Sequence, residues 1–251
     1  MIFALASSNN ARRVVNLLSK TAITISLRLK VNPIIEIPLR PLGLNAKMSI
    51  HLLSRDVINF FVILVNHVYD KYSSMQDGEL VIDCGAYIGE FTIQAARRVG
   101  TTGLVLAFEP NLRSFSLCKT NIERNGMHNV KLFPFALGEK EGRSNFETNE
   151  ANLGASKIVT SKGTGSGSHA DVKTLSQFLP YFGGKRVKLL KMDVEGYATR
   201  IVLGSDILFQ KKLVRNVCAE VHPGEEGLQA LLENYGFRCF REDNYLYATL
   251  E

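Results

Sequence analysis

Tryptophan is absent from the 251 residues, and cysteine, with four, and proline, with seven, are scarce. Cys84, Cys118, Cys218 and Cys239 form no C-x-x-C pair and have no histidine cluster beside them. A disulfide framework or a zinc site is therefore not expected, and the thiols read as reduced. Long apolar runs are missing too: the most apolar window, Val57 to Val65, falls far short of a membrane span. Met1 to Leu18 has a short apolar stretch followed, not preceded, by Arg12-Arg13, which is not a convincing signal peptide. A soluble, cytoplasmic protein is the expectation.

Nor is charge of one sign concentrated anywhere. The net charge is +6, with nine Lys and Arg against five Asp and Glu in residues 1–79 (+4) and 21 against 19 beyond (+2). Without a dense basic run carrying interleaved aromatics, this reads as a solvated surface, and nucleic acid is not an expected partner. Apolar content of 45% and charged content of 22% are ordinary for a globular chain. The length suits one α/β domain with an extension, or two small domains.

What is present centres on Glu79 to Gly89. The short apolar run Leu80-Val81-Ile82 reads as a buried strand ending in Asp83. Glycines at 85 and 89 follow, and then a good helix sequence from Glu90 to Arg98. Strand, glycine turn and helix bring a ligand against backbone N–H groups and the positive end of a helix. The spacing Asp83-x-Gly85-x-x-x-Gly89 lacks the middle glycine of the dinucleotide fingerprint G-x-G-x-x-G. A carboxylate ahead of the turn repels a pyrophosphate and favours an ammonium or sulfonium group, which points to S-adenosylmethionine (SAM). The next apolar run, Leu104 to Phe108, ends in Glu109, placed to accept hydrogen bonds from ribose hydroxyls.

Strand and helix then alternate, the signature of a doubly wound, mostly parallel sheet. Helix 89–99 is followed by strand 104–108, helix 111–125 and strand 130–135. Later elements are a short helix from Thr174, strand 187–192, a helix near 197–203, strand 213–221 and a helix near 225–235. Gly236 to Phe240 and Tyr245 to Thr249 read as a closing antiparallel pair. Residues 1–79 are expected as a small β/α extension: loosely ordered to about 20, a hairpin within Thr21 to Arg40, and a helix from Ser54 to Tyr72. Residues 80–251 form the ligand-binding domain, with a flexible loop near 144–170 around the Ser-Gly-rich stretch 161–168.

Four polar residues stand just past successive strands: Asp83, Glu109, Asp193 and His222. Ligands of open α/β sheets bind outside those ends, so the strands alone bring the four to one crevice. Singly, Asp193 reads equally well as a helix cap and His222 as a loop residue.

Val81-Ile82-Asp83-Cys84-Gly85-Ala86-Tyr87-Ile88-Gly89, then Ala107-Phe108-Glu109-Pro110-Asn111, then Asn121 with Asn125-Gly126, resemble class I SAM-dependent methyltransferases. With Lys191-Met192-Asp193-Val194-Glu195-Gly196 and Glu220-Val221-His222 added, residues 80 to 249 resemble the FkbM family. Arg40-Pro41 and Asp56 weakly resemble the family's upstream region. The resemblance implies a Rossmann-like fold and O-methylation of a hydroxyl on a sugar, glycan or natural product. It places Gly85, Ala86 and Gly89 along the methionine part of SAM, Glu109 at the ribose, and Phe108 and Ala136 beside the adenine. The family usually carries Glu two residues after the glycine of the 191–196 block, where this chain has Ala198.

An alcohol acceptor needs its proton removed, and a positioned base contributes roughly a hundred- to ten-thousand-fold. His222 or Asp193 is the expected base, with Glu195 orienting and Lys191 stabilising developing negative charge. No metal site is expected, because two carboxylates, Asp193 and Glu195, are thin evidence for a magnesium ion. Rival readings are a methyltransferase acting on nucleic acid or protein, and a SAM- or partner-binding fold without catalysis. A nicotinamide dehydrogenase is disfavoured by the missing glycine.

Overall fold

A computed structural model of the chain describes residue 29 and residues 32–52, 56–147, 157–159 and 168–250. The chain begins with an antiparallel pair, β1 (Ile34–Pro38) and β2 (Lys47–His51), joined by a 3-10 turn over Arg40–Leu42. A short helix α1 (Asp56–Phe60) widens into a π-type turn at Phe61–Val65. Then follow β3 (Leu80–Cys84), α2 (Glu90–Arg98), β4 (Leu104–Phe108), α3 (Leu112–Arg124) and β5 (Val130–Phe133). Four strands make a small second sheet: β6 (Ala136–Leu137), β7 (Gly142–Glu147), β8 (Lys157–Val159) and β9 (Ser168–Lys173). A 3-10 helix (Leu175–Phe182) leads to β10 (Val187–Met192), α4 (Ala198–Leu203), α5 (Asp206–Gln210) and β11 (Asn216–Glu220). The chain closes with α6 (Gly227–Asn234), β12 (Phe237–Glu242) and β13 (Tyr245–Leu250).

The main sheet has the order β12-β13-β11-β10-β3-β4-β5, parallel from β11 to β5, with β13 antiparallel to β11 and β12. Its central strands are buried on both faces, as parallel strands under crossover helices must be. Val81, Val105, Ala107 and Leu189 face α2, α3 and the N-terminal segment, while Leu80, Ile82, Leu106 and Leu190 face the opposite core. The chain runs outward through β3, β4 and β5, then returns to lay β10 on the other side of β3. That reversal opens a crevice beyond the carboxyl ends of β3 and β10.

The N-terminal segment shares the main core: Met48, Ile50, Phe60 and Tyr69 pack with Val81, Phe91 and Cys118. Two asparagines of α3 and its end fix the β2 edge. Ser49 N–H donates to Asn121 Oδ1 at 2.8 Å, and Lys47 N–H to Asn125 Oδ1 at 2.9 Å. Asn121 Nδ2 also donates to the carbonyl of Ile88 at 2.9 Å, tying the hairpin edge to the glycine turn.

Several expectations need correction. The hairpin is formed by 34–38 and 47–51, not within 21–40; residues 1–28 and Ser54 lie outside the described residues. The helix expected to reach Tyr72 ends far sooner, in a β-branched stretch followed by turns, with His67 at φ +54°. Residues 144–147, 157–159 and 168–170, expected in a loop, are sheet strands; most of the Ser-Gly stretch lies outside the described residues. No helix among the described residues is long and apolar enough to cross a membrane.

Candidate active site

The turn between β3 and α2 is built on positive φ angles at Gly85 (+79°), Tyr87 (+50°) and Gly89 (+98°). At Gly85 the need for glycine is double, because a β-carbon there would overlap the backbone carbonyl of Asp193. The loops after β3 and β10 thus pass in contact at the crevice, and Asp193 N–H donates to Cys84 O at 3.0 Å. The N–H groups of Gly85 and Ala86 both donate to Phe108 O, at 3.0 and 2.9 Å. These two amides brace the turn against β4.

Asp83 and Lys191 are direct partners in the β3–β10 register, so their side chains leave the sheet on the same face. Lys191 Nζ lies 2.9 Å from Asp83 Oδ1 and donates to Gly85 O at 2.5 Å, while Thr92 Oγ1 donates to Asp83 Oδ2 at 2.5 Å. The carboxylate is fully buried and the ammonium is 2% exposed. Burial works against the lysine's charge, but Asp83 and Asp193 outweigh it and hold its pKa above the usual value. Both residues lie beneath the turn, not at the crevice surface expected for a sulfonium partner and a charge stabiliser.

Glu109, at the end of β4, accepts Tyr87 N–H on one oxygen and Asn111 N–H on the other, each at 2.8 Å. Burial raises its pKa to about 8 against the opposing effect of those two N–H groups. A carboxylate offers about four lone-pair directions, so two acceptor positions remain. Phe108 faces the other way, into the core, stacked on Phe133 at 5.2 Å and edge-on to Phe178 at 4.7 Å. Ala136 is buried in β6 of the small sheet, packed with Ala170 and Val172.

Beyond β10 and β11 the polar residues converge. One ligand atom from each of Asp193, Glu195 and His222 lies within 4.8 Å of the other two. Glu195 holds φ +50° and Gly196 +89°, a bend that carries Gly196 against the His222 β-carbon. The amide of His222 donates to Glu225 Oε2 at 3.2 Å, and Thr199 N–H donates to Oε1 of the same carboxylate at 3.2 Å. Glu225 is nearly buried and so joins the start of α4, beside Ala198, to the loop after β11.

Sequence reading missed three contributors. Tyr69, from the N-terminal segment, donates its hydroxyl to Asp193 Oδ2 at 2.7 Å, with its ring 5.0 Å from Lys191 Nζ. Glu220 lies beside Asp193, and burial followed by that neighbouring carboxylate raises its pKa to about 8. Tyr87 reaches from the turn to Asp56, donating to Oδ1 at 2.6 Å, and His51 N–H donates to Oδ2 at 2.8 Å. Glu220 stands two residues before His222, so its strand end was legible. Nothing in the sequence marks Tyr69, which reaches the crevice only through tertiary packing.

A doubly wound sheet with an antiparallel closing strand and an acidic residue after each of two central strands defines a class I methyltransferase fold. The sequence profile described as "Methyltransferase FkbM domain" matches residues 83–239, well over half of the chain. The chain belongs to the FkbM methyltransferase family. It is 26% identical over 214 residues to Methyltransferase 1 of Beauveria bassiana, covering 76% of this chain and 82% of that one. It is 27% identical over 231 residues to Methyltransferase sdnD of Sordaria araneosa, covering 78% and 88%. Among solved structures, the FkbM methyltransferase of Methylobacillus flagellatus KT superposes with a TM-score of 0.50 at 16% identity. That match covers 77% of this chain and 54% of the solved one, and its likeness is one of fold.

Proposed function

We propose that this methyltransferase uses SAM to methylate a hydroxyl oxygen of a small molecule, such as a sugar, glycan or natural product. The observation that carries the reading is Glu109: a buried carboxylate at the end of β4, where the ribose of SAM would lie, oriented by two backbone N–H groups with acceptor capacity left over. The bend at Gly85, Ala86 and Gly89 would lie along the methionine part. Asp83 would act from beneath, through Lys191 and the Gly85 carbonyl. SAM bound there supplies a methyl group on sulfur that an oxygen nucleophile attacks in line.

The chain's own contribution is alignment and proton removal, which together supply much of the acceleration for such a displacement. Asp193, Glu195 and His222 stand beyond β10, next to the bend where the methionine part would lie. This cluster takes charge of the acceptor's proton, with His222 or Asp193 as the group nearest to it and Glu195 orienting. Tyr69 holds Asp193 in place.

The test is transfer of labelled methyl from SAM into cell extract, followed by fractionation. Label in a small-molecule or glycan fraction, lost with His222→Ala or Asp193→Ala, is the expected result. Label in protein or nucleic acid would overturn the acceptor class, and undiminished transfer by both variants would overturn the residue roles.

A further inference from the structure

The cluster beyond β10 and β11 mixes two chemistries: carboxylate oxygens from Asp193 and Glu195, and an imidazole nitrogen from His222, mutually within 4.8 Å. The histidine is not satisfied by its neighbours. Its Nδ1 is 3.8 Å from Glu195 Oε2, beyond hydrogen-bond length. Its Nε2 is buried and has no hydrogen-bond partner among the described residues. Buried ring nitrogens ordinarily find a partner, and one without calls for an explanation.

The carboxyl groups of Asp193 and Glu195 stand together in the loop after β10, and the Lys191 ammonium beneath it is committed to Asp83 and the Gly85 carbonyl. Tyr69 supplies Asp193 with a hydrogen bond but no charge. The carboxylates and the imidazole come from different loops, each fixed by its own anchor. Asp193 is pinned by its amide on Cys84, and His222 by its amide on Glu225.

We propose that Asp193, Glu195 and His222 bind a divalent cation of the manganese type. Two hard oxygen donors with one imidazole suit manganese better than soft, thiolate-seeking ions, and better than magnesium or calcium, which favour oxygen alone. Three protein ligands leave positions open for water or an acceptor oxygen. The inference deepens the proposed methyl transfer, on which it rests only for what the open positions hold. With the ion present, Asp193 and His222 act as its ligands, and the cluster controls the acceptor's proton by making a bound hydroxyl more acidic.

The test is a titration of the full chain with Mn(II), without donor or acceptor, read by electron paramagnetic resonance. One ion bound per chain is expected, and pulsed spectra of the bound ion should show nitrogen modulation from a single imidazole. Asp193→Asn, Glu195→Gln and His222→Gln should each weaken binding about tenfold or more, as loss of a ligand does at least as severely as loss of its supporting groups. Glu123→Gln, on the exposed face of α3 beside Lys119, should change nothing. No binding at about millimolar ion, the concentration of weak oxygen-ligand sites, would overturn the proposal. So would bound ion lacking nitrogen modulation, a wild-type reading that does not depend on any variant folding. Calorimetry with SAM on the same ion-free sample reports the donor site separately, so failure of one reading leaves the other visible.

Discussion

Lys191 and Asp83 face each other across β10 and β3, with Nζ and Oδ1 2.9 Å apart and neither side chain more than 2% exposed. The ion pair spans the strands where the chain reverses, directly under the glycine bend. Lys191 also holds the Gly85 carbonyl, so the pair sets the height of the bend above the sheet.

Removing one partner of a buried pair leaves an uncompensated charge, which costs about 3–5 kcal/mol. Asp83→Asn should therefore lower the melting temperature by roughly 6–20 °C for a domain of this size. The double variant Asp83→Leu with Lys191→Met should recover most of that loss. A single variant as stable as the parent in thermal circular dichroism would remove the pair from this role.

Gly85 and Gly126 offer a controlled comparison. Both have positive φ, +79° and +59°, but a β-carbon meets the Asp193 carbonyl at the first and open space at the second. Gly126→Ala should cost on the order of 1–3 kcal/mol, the strain of a left-handed non-glycine residue. Gly85→Ala should cost more and abolish donor binding. Equal losses in a denaturant titration would contradict the close passage of the two loops.

Tyr69→Phe deletes the hydroxyl that donates to Asp193 and leaves the ring packed on Phe91 and Tyr245. A hydrogen bond to a charged group is worth about 1.5–3 kcal/mol. Turnover should fall roughly ten- to a hundredfold at an unchanged dissociation constant for SAM, each tenfold being 1.36 kcal/mol. A loss confined to SAM binding would place Tyr69 elsewhere in the mechanism.

The pH dependence of donor binding follows from Glu109. Its pKa lies near 8 in the free protein because burial disfavours its charge. Ribose hydroxyls donate to the ionised form, so binding must expel the proton below that pH. Affinity for SAM should rise from pH 6 to about 8, by up to about tenfold per unit, and then level off. Glu109→Gln should bind weakly with a flat profile, as calorimetry at several pH values would show.

The order of strands from Leu80 onward was legible because each is a short apolar run followed by a polar or glycine stop. Asp83, Glu109, Asp193 and His222 could be placed at strand ends for the same reason. Side-chain direction was not legible. Period-two alternation turns Asp83 and Lys191 toward the helices and Phe108 into the opposite core, and which face a residue takes depends on strand register. Strands β7 and β9 are not legible because their residues are mostly polar, as in Arg143-Ser144-Asn145 and Ser168-His169, and β8 is only three residues long. The second strand of the hairpin, Lys47–His51, was hidden behind Pro41 and Gly43, which mark its turn and not a break in the sheet.

Whether the crevice at the β3–β10 reversal holds an adenosyl sulfonium is decided most directly by equilibrium dialysis of the full chain against methyl-labelled SAM. One equivalent should bind, S-adenosylhomocysteine should displace it, NAD should not, and Glu109→Ala should abolish retention. Retention of no label by the folded parent chain, or equal retention by Glu109→Ala, would contradict the account.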